Sequence, residues 1–517
     1  MSEVDPADRP YSWSTAAIAD LSTLVRGVTY KKEDAAYAPA LNYVAVLRAT
    51  NISGAGLDFD DLVFVPNRYA DSQQMLRRGD IVIASSSGSK EVVGKAAQLG
   101  DARFAGSFGA FCTTVRPHAE IDASYLGYYF QTSEYRKAIS DVSAGSNINN
   151  IKSSDLAGHQ LPLAPKSEQT RIVAKLEELL SGLDAGVAEL KAAQKKLAQY
   201  RQSLLKAAVQ GDLTADWRRQ HPPPETGAEL LARILKQRRE RWQAKQLAKF
   251  AEQGKPPPKG WKDKYPEPAA PNTRDLPALP EGWAWASIEQ IADVGTGVTP
   301  SRAKAAYFQN GTTPWVTSGA LNGEFVTAGS ELVSDAALEE CRLEIYPTGS
   351  LLLAMYGEGK TRGKCSELMI PAAINQAIAA IVLEDGAAKC RRFLKIFLLA
   401  SYERMREQAA GGVQPNLNLQ IVKAIAVPLP PASEQEAIAE RLGELLSGVA
   451  DQVRAVQTGI KQSTAQRQNI LRAAFAGQLV PQDPSEEPAS LLLERIRAER
   501  ADNSTRTAKR GRKTMAS

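Results

Sequence analysis

The chain is 517 residues long, 43% apolar and 23% charged, with a formal net charge of +5 at pH 7. That length predicts three or four domains, and no stretch approaches the roughly 20 consecutive apolar residues of a membrane span. The opening MSEVDPADRP is acidic and unlike a secretory signal, Cys112, Cys341, Cys365 and Cys390 form no CxxC pair, and His118, His159 and His221 are scattered singly, so the expectation is a cytoplasmic protein with neither disulfide frame nor zinc site.

Residues 1–160 read as a mixed α/β domain. Short apolar runs, YVAVLRA (43–49), DLVFVP (61–66) and GDIVIAS (79–85), are separated by turn residues and mixed with helical patterns such as SYLGYYFQTSEYRKAI (124–139). Residues 161–214 follow as one long helix. Prolines and a Ser N-cap open it, Gly211 ends it, and Leu176, Leu183, Leu190, Leu197 and Leu204 fall seven apart, the spacing of a coiled-coil seam.

Residues 215–280 form a connector. It begins DWRRQHPPP, continues as the charged helical pattern ELLARILKQRRERWQAKQLAKFAEQ, and ends in the proline-rich KPPPKGWKDKYPEPAAP, which predicts a semi-rigid spacer. A second block, 281–427, carries the landmarks of the first in the same order: Trp285 beside Trp13, GVT at 297–299 beside GVT at 27–29, and GSLLLAMYGEGKTRGK beside GDIVIASSSGSKEVVGK. A second long helix spans 428–481, with Leu442, Val449, Val456 and Ile470 on the seam and Ser463 as its polar break. The tail, 482–517, is basic; its start echoes the connector (Leu492, Leu493, Arg495 and Ile496 beside Leu230, Leu231, Arg233 and Ile234), and its end is expected to be disordered.

The two long helices are a duplication. PLAPKSEQ…GDL and PLPPASEQ…GQL align without a gap at an offset of 266 residues, sharing Ser167/Ser433, Glu168/Glu434, Gln169/Gln435 and Gly211/Gly477. The fold class expected is therefore α+β: two homologous mixed α/β domains separated by two long helices packed as an antiparallel coiled coil, with a pseudo-twofold axis. Apolar faces around Ala207, Ala208 and Val209, and around Ala473, Ala474 and Phe475, exceed what a two-helix seam needs and read as partner surface.

Charge is unevenly placed. Residues 215–265 hold 13 Lys/Arg against 6 Asp/Glu and residues 494–517 hold 8 against 3, so the remainder is acidic on balance. Lys236, Arg238, Arg239 and Arg241 read as phosphate contacts that add DNA affinity without sequence choice, with a solvated face or subunit docking as the alternatives.

This architecture resembles the specificity subunits of type I restriction-modification systems, over nearly the whole chain. The resemblance rests on the two SEQ helix starts, the helix ends LLKAAVQGDL and ILRAAFAGQL, LPEGWAW (279–285) followed by TPSR (299–302), and the GD-I and GK landmarks. It implies two target-recognition domains, each reading half of a split sequence in double-stranded DNA. It also implies two methyltransferase subunits and two motor-nuclease subunits as partners. No cofactor is implied for this chain; S-adenosylmethionine, and ATP with magnesium, are implied for those partners.

Candidate reading residues combine base-edge donors and acceptors with glycine-bearing loops: Arg48, Thr50 and Asn51; Ser86, Ser87, Ser89 and Lys90; Thr317 and Ser318; Glu358, Lys360, Thr361 and Arg362. Asn147, Asn149, Gln414 and Asn416 lie in amide-rich turns before each long helix. Plain turn chemistry is the alternative for all of them. Ala354–Thr361, AMYGEGKT, loosely fits a phosphate loop, so a self-contained ATP-dependent DNA enzyme is one competing reading, and a coiled-coil scaffold with no DNA role is another. No catalytic signature of methyl transfer, hydrolysis or metal chemistry accompanies it, and the expectation is a non-catalytic reader.

Overall fold

The structure is a computed structural model that describes residues 9–53, 56–89, 91–100, 104–143, 149–357, 361–410 and 417–514. The apolar runs singled out above become strands Ile81–Ala84 and Leu351–Ala354, each fully buried along its length. Side chains alternate across a strand, so each of these strands serves two cores. Ile81 and Ile83 join one cluster and Val82 and Ala84 another; Leu351 and Leu353 are divided from Leu352 and Ala354 in the same way. That is why both runs are apolar throughout and not alternating.

The chain divides into two compact units, Met1–Lys191 with Val456–Ser517, and Ala192–Ala455. In the first, an antiparallel sheet runs Ser22–Arg26, Cys112–Pro117, Ile81–Ala84, Ala96–Gln98. Beside it in sequence, Tyr43–Leu47 pairs parallel with Gly106–Phe108 and antiparallel with Val63–Pro66, and Ser14–Ala17 pairs antiparallel with Gln160–Leu163. The second unit repeats each arrangement. Ala292–Thr296, Ile378–Leu383, Leu351–Ala354 and Cys365–Leu368 are antiparallel neighbours in that order, with Phe325–Val326 added parallel at the edge. Thr313–Val316 pairs parallel with Ala373–Ile374 and antiparallel with Glu331–Val333, and Ala284–Ser287 pairs with Ala426–Leu429. Strand order thus records the duplication that the divergent domain sequences only hint at.

The long helices span Lys166–Gln210 and Ala432–Phe475, 45 and 44 residues. At 1.5 Å per residue each is about 65 Å long. Their starts lie two positions earlier than expected: the Gln169 and Gln435 amides bond the carbonyls of Pro165 and Pro431 at 2.9 and 3.1 Å, so the prolines take the N-cap place and Ser167 and Ser433 lie in the first turn. The stops are glycines as expected. Gly211 and Gly477 have φ of 78° and 74°, a left-handed conformation that a side chain would strain.

Each unit contains the first half of one helix and the second half of the other. In the first unit Leu176, Leu180, Leu471 and Phe475 bury in one core. Asp184 bonds Arg467 at 2.6 Å, and Leu190 lies against Gly459, so the two segments run in opposite directions. In the second unit Leu204, Leu205 and Ala208 share a core with Ile438, Leu442 and Val449. Seam residues are fully buried where a domain covers them, as at Leu176 and Leu204, and half-buried at Leu183, Leu190 and Leu197. Of the apolar faces expected to await a partner, Ala208, Ala474 and Phe475 are buried within the chain and Ala207, Val209 and Ala473 are half-buried.

The echo between connector and tail is structural. Helices Gly227–Glu252 and Ala489–Thr514 bury equivalent residues, Leu230 and Ile234 in the second unit and Leu492 and Ile496 in the first. Equivalent ion pairs, Glu225 with Arg233 and Glu487 with Arg495, brace both. The tail expected to be disordered continues its helix to Thr514, in keeping with its abundance of Arg, Lys and Ala. In the proline-rich segment Trp261 stacks on Trp242 with centroids 6.0 Å apart and Tyr265 meets Trp242 edge-on at 5.4 Å, so this segment folds back along the charged helix. No described helix is long and apolar enough to cross a membrane.

Candidate nucleic-acid interface

Three loops of the first domain meet at the ends of its inner strands. The GVT loop is pinned by Val28 N–H donating to the Phe108 carbonyl (2.7 Å) and Ala110 N–H donating to the Val28 carbonyl (2.9 Å). Gly27 passes so close to the neighbouring chain that a Cβ would stand 2.0 Å from the Gly109 carbonyl oxygen; at the equivalent Gly297 the clash with the Ile374 oxygen would be 1.6 Å. Only glycine fits either crossing.

Arg48, Thr50, Ser86 and Ser87 come together around one open cavity of about 730 Å³. Arg48 is half-buried and bonds the exposed Asp61 carboxylate at 2.6 Å. Asn51 has another role: it is 2% exposed, its amide oxygen accepts from Arg48 N–H (2.8 Å) and its amide nitrogen donates to the Asp61 carbonyl (2.9 Å). It holds the turn that presents its neighbours. Ser86 and Ser87 pair antiparallel with Asn150 and Asn149, and Ile151 N–H donates to the Ser85 carbonyl at 2.8 Å, so the backbone of the amide-rich turn joins the same face. Ser89 is exposed beside Ser87. Lys90, Asn147 and the side chain of Asn149 lie outside the described residues.

The second domain repeats the scaffold with other side chains. Thr317 N–H donates to Ser330 Oγ at 3.0 Å, its hydroxyl lies 3.0 Å from the same oxygen, and Ser318 opens the short turn Ser318–Ala320. Lys364 Nζ reaches Asn322 Oδ1 at 2.6 Å, tying that turn to the loop holding Thr361 and Arg362, both half-buried. Leu417 N–H donates to the Met355 carbonyl (3.1 Å), the counterpart of Ile151 and Ser85. Glu358, Lys360, Gln414 and Asn416 lie outside the described residues. Arg302 of TPSR is occupied by Glu331 and by the ring of Phe308, 4.8 Å from its centroid.

The phosphate-loop reading of Ala354–Thr361 fails on topology. Leu351–Ala354 and Cys365–Leu368 are antiparallel neighbours, closed by Gly363 N–H to the Ala354 carbonyl (2.8 Å) and Ala354 N–H to the Lys364 carbonyl (2.9 Å). Among the described residues no helix opens after this loop to turn its N-terminus toward a phosphate. The first domain closes the same way, with Gly94 bonded to Ala84 at 2.8 Å and Ala84 to Lys95 at 2.9 Å. Lys95 and Lys364 are hairpin residues, and Lys360 of the phosphate-loop pattern lies outside the described residues.

Sequence reasoning missed three features. Tyr37 and Phe111 line the first cavity and are 72% and 68% exposed. As isolated aromatics they carried no pattern. The buried Glu168 and Glu434 of the SEQ motif accept from the indole N–H of Trp13 (3.0 Å) and Trp283 (2.8 Å), so Trp283, and not the Trp285 expected from the sequence, is the counterpart of Trp13, and each motif anchors its domain's opening strand. The shared motif itself was the available signal. In the charged helix, Arg238 bonds Glu384 at 2.6 Å and Asp293 at 2.8 Å, Arg239 bonds Glu267 at 3.1 Å, and Arg241 contacts Glu384 and Asp385, so these cations dock the helix on its own unit and do not stand free for phosphate.

Comparison with known proteins agrees with this duplicated arrangement. A family model of the type I restriction modification DNA specificity domain matches residues 10–192 and again 280–453. The chain is 30% identical over 522 aligned residues to the type I restriction enzyme EcoKI specificity subunit of Escherichia coli strain K12, covering 97% of this chain and 98% of that one. It is 43% identical over 212 residues to the StySPI specificity subunit of Salmonella potsdam, where the match covers 41% of this chain and 46% of the relative. A solved chain from work on complex assembly and conformational transition of the type I R-M system superposes over 91% of this chain and 99% of its own length, with a TM-score of 0.61 at 17% identity, which speaks for the fold. The chain belongs to the type I restriction-modification DNA specificity family and is a non-catalytic DNA-recognition subunit.

Proposed function

We propose that this subunit reads a bipartite target in double-stranded DNA, one half-site per domain, with the spacing set by the paired long helices. The observation that carries this reading is the duplication at the level of strand order, in which one scaffold presents different side chains in its two copies. A pseudo-repeat of that kind matches the twofold of a duplex while allowing two unlike half-sites. In the same reading the chain recruits two methyltransferase subunits and two motor-nuclease subunits. It binds no cofactor itself: S-adenosylmethionine serves the former and ATP with magnesium the latter, and the setting is the cytoplasm.

The test is a domain exchange. Replacing residues 1–160 by the equivalent block of a relative, in a host carrying the partner genes, is expected to change one half of the methylated motif and leave the other half and the spacer intact. Methylome sequencing reads the outcome, and an unchanged motif, or one changed in both halves, overturns the proposal.

A further inference from the structure

The cavity between the reading loops of the first domain has apolar walls and a polar rim. Tyr30, Tyr37, Val63 and Phe111 supply the walls, and Lys32, Arg48, Ser86 and Ser87 stand around them. Tyr37 and Phe111 are exposed together in the lining of one cavity, and it is a grouped apolar surface of this kind, not a lone exposed ring, that marks an interaction site. Phe111 is also held in advance: its carbonyl accepts from Ser85 N–H at 2.8 Å and Ser86 N–H at 3.1 Å, which fixes its backbone while leaving the ring in solvent. An anchor so positioned loses little freedom when it binds.

The second domain makes the same backbone bond without the ring. There Met355 N–H donates to the Ala377 carbonyl at 2.8 Å, and Ala377 is buried, so an alanine occupies the place of Phe111. The aromatic is a feature of one copy, as a determinant of one half-site should be.

The exposed Lys32 at the rim suits a polyanion, and apolar walls beside hydroxyl donors suit a ligand group that is a methyl flanked by an acceptor. On the major-groove edge of DNA only thymine offers this, a C5-methyl beside O4. We infer that the first domain selects a thymine in its half-site by seating the C5-methyl against Phe111 and Tyr37, with Ser86 and Ser87 directed at the neighbouring oxygen. The inference rests on the proposal that this domain reads DNA.

The experiment uses the subunit assembled with its methyltransferase partners and duplexes carrying the motif found by methylome sequencing. Each thymine on either strand is replaced in turn by deoxyuridine, which removes only the methyl, and equilibrium binding is measured at one salt concentration. One position in the half-site of the first domain is expected to lose about four-fold in affinity, the worth of one buried methyl. No position in the other half-site should respond in a way that depends on Phe111. In Phe111→Ala, and separately in Tyr37→Ala, the complex should still bind while the difference between thymine and deoxyuridine collapses. Specific binding that is indifferent to deoxyuridine throughout the first half-site, or a difference that survives both substitutions, overturns the inference. A complex that binds no duplex specifically overturns the DNA-reading proposal beneath it and the inference together.

Discussion

The indole N–H of Trp13 donates to a carboxylate oxygen of Glu168 at 3.0 Å, joining residues 155 positions apart. Both are nearly sealed from solvent, at 8% and 1% exposure, so the bond closes the seam between the opening of the first domain and the first turn of the helix that leaves it. Trp283 and Glu434 repeat it at 2.8 Å with more support, because Thr214 bonds the same carboxylate at 2.7 Å and Arg218 at 2.9 Å, whereas Glu168 has Gln482 as its other close donor, at 2.6 Å.

Trp13→Phe should therefore cost more than Trp283→Phe. Each keeps most of the buried ring and removes the donor, and an under-satisfied buried acceptor costs about 1–3 kcal/mol. Glu434 retains an ion pair, which places Trp283→Phe at the lower end of that range. Chemical unfolding of the assembled complex measures both, and equal losses would contradict the asymmetry of the two clasps.

Burial raises the Glu168 carboxyl above its ordinary value, and the hydrogen bonds from Gln482 and Trp13 only partly oppose it. A carboxyl whose folded pKa is raised contributes stability below the unfolded value, near 4.3, and loses that contribution as pH rises through the folded one. Glu168→Gln removes the titration. The melting temperature of the variant relative to the natural protein is expected to rise as pH is taken from about 4.5 toward 7. A difference that is flat or falls over that window would show that the carboxylate is stabilised in its charged form.

With Arg238, Arg239 and Arg241 paired to carboxylates, phosphate contact by this region falls to exposed lysines: Lys236 of the expected set and, farther along, the four Lys245, Lys249, Lys255 and Lys259. Changing those four to Gln is expected to weaken binding to specific and random duplexes alike and to reduce the salt slope by up to about 4, near 0.9 per contact. Arg238→Ala is expected instead to loosen the helix from its unit, seen as faster amide exchange around Leu230 and Ile234. A changed methylation motif in the lysine variant would contradict both assignments.

The long helices, the duplication and the strand positions were legible because each leaves a local periodic mark: the seven-residue seam, the ungapped SEQ repeat, the fully apolar runs at 81–84 and 351–354. Other features depend on contacts that no local pattern carries. Gly477 lies beside Trp13, some 460 positions away, where an added Cβ would stand 3.5 Å from the ring, and Leu471 and Phe475 bury in the core of the same domain; the return of the second helix follows from such distant contacts. Asn51 looked like a base reader because amides serve turns and bases equally, and only its burial separates the two roles. Arg238 and Arg241 of the charged helix resembled a phosphate-binding face because their carboxylate partners, Asp293, Glu384 and Asp385, lie in a different domain of the sequence.

The spacing between half-sites is the last quantity the proposal fixes. If the paired helices set it, it depends on their length and not on the loops around Ser86 or Thr317. Inserting four residues beside Ala192, midway along the helix, adds about one turn or roughly 6 Å, and a four-residue insertion keeps the seam on nearly the same face. The unspecified spacer is then expected to lengthen by one or two base pairs at about 3.4 Å each, with both half-site sequences unchanged. Methylome sequencing of a host carrying the insertion decides the matter. An unaltered spacer beside altered bases would mean that the distance is set within the recognition domains and that the helices are not the measure.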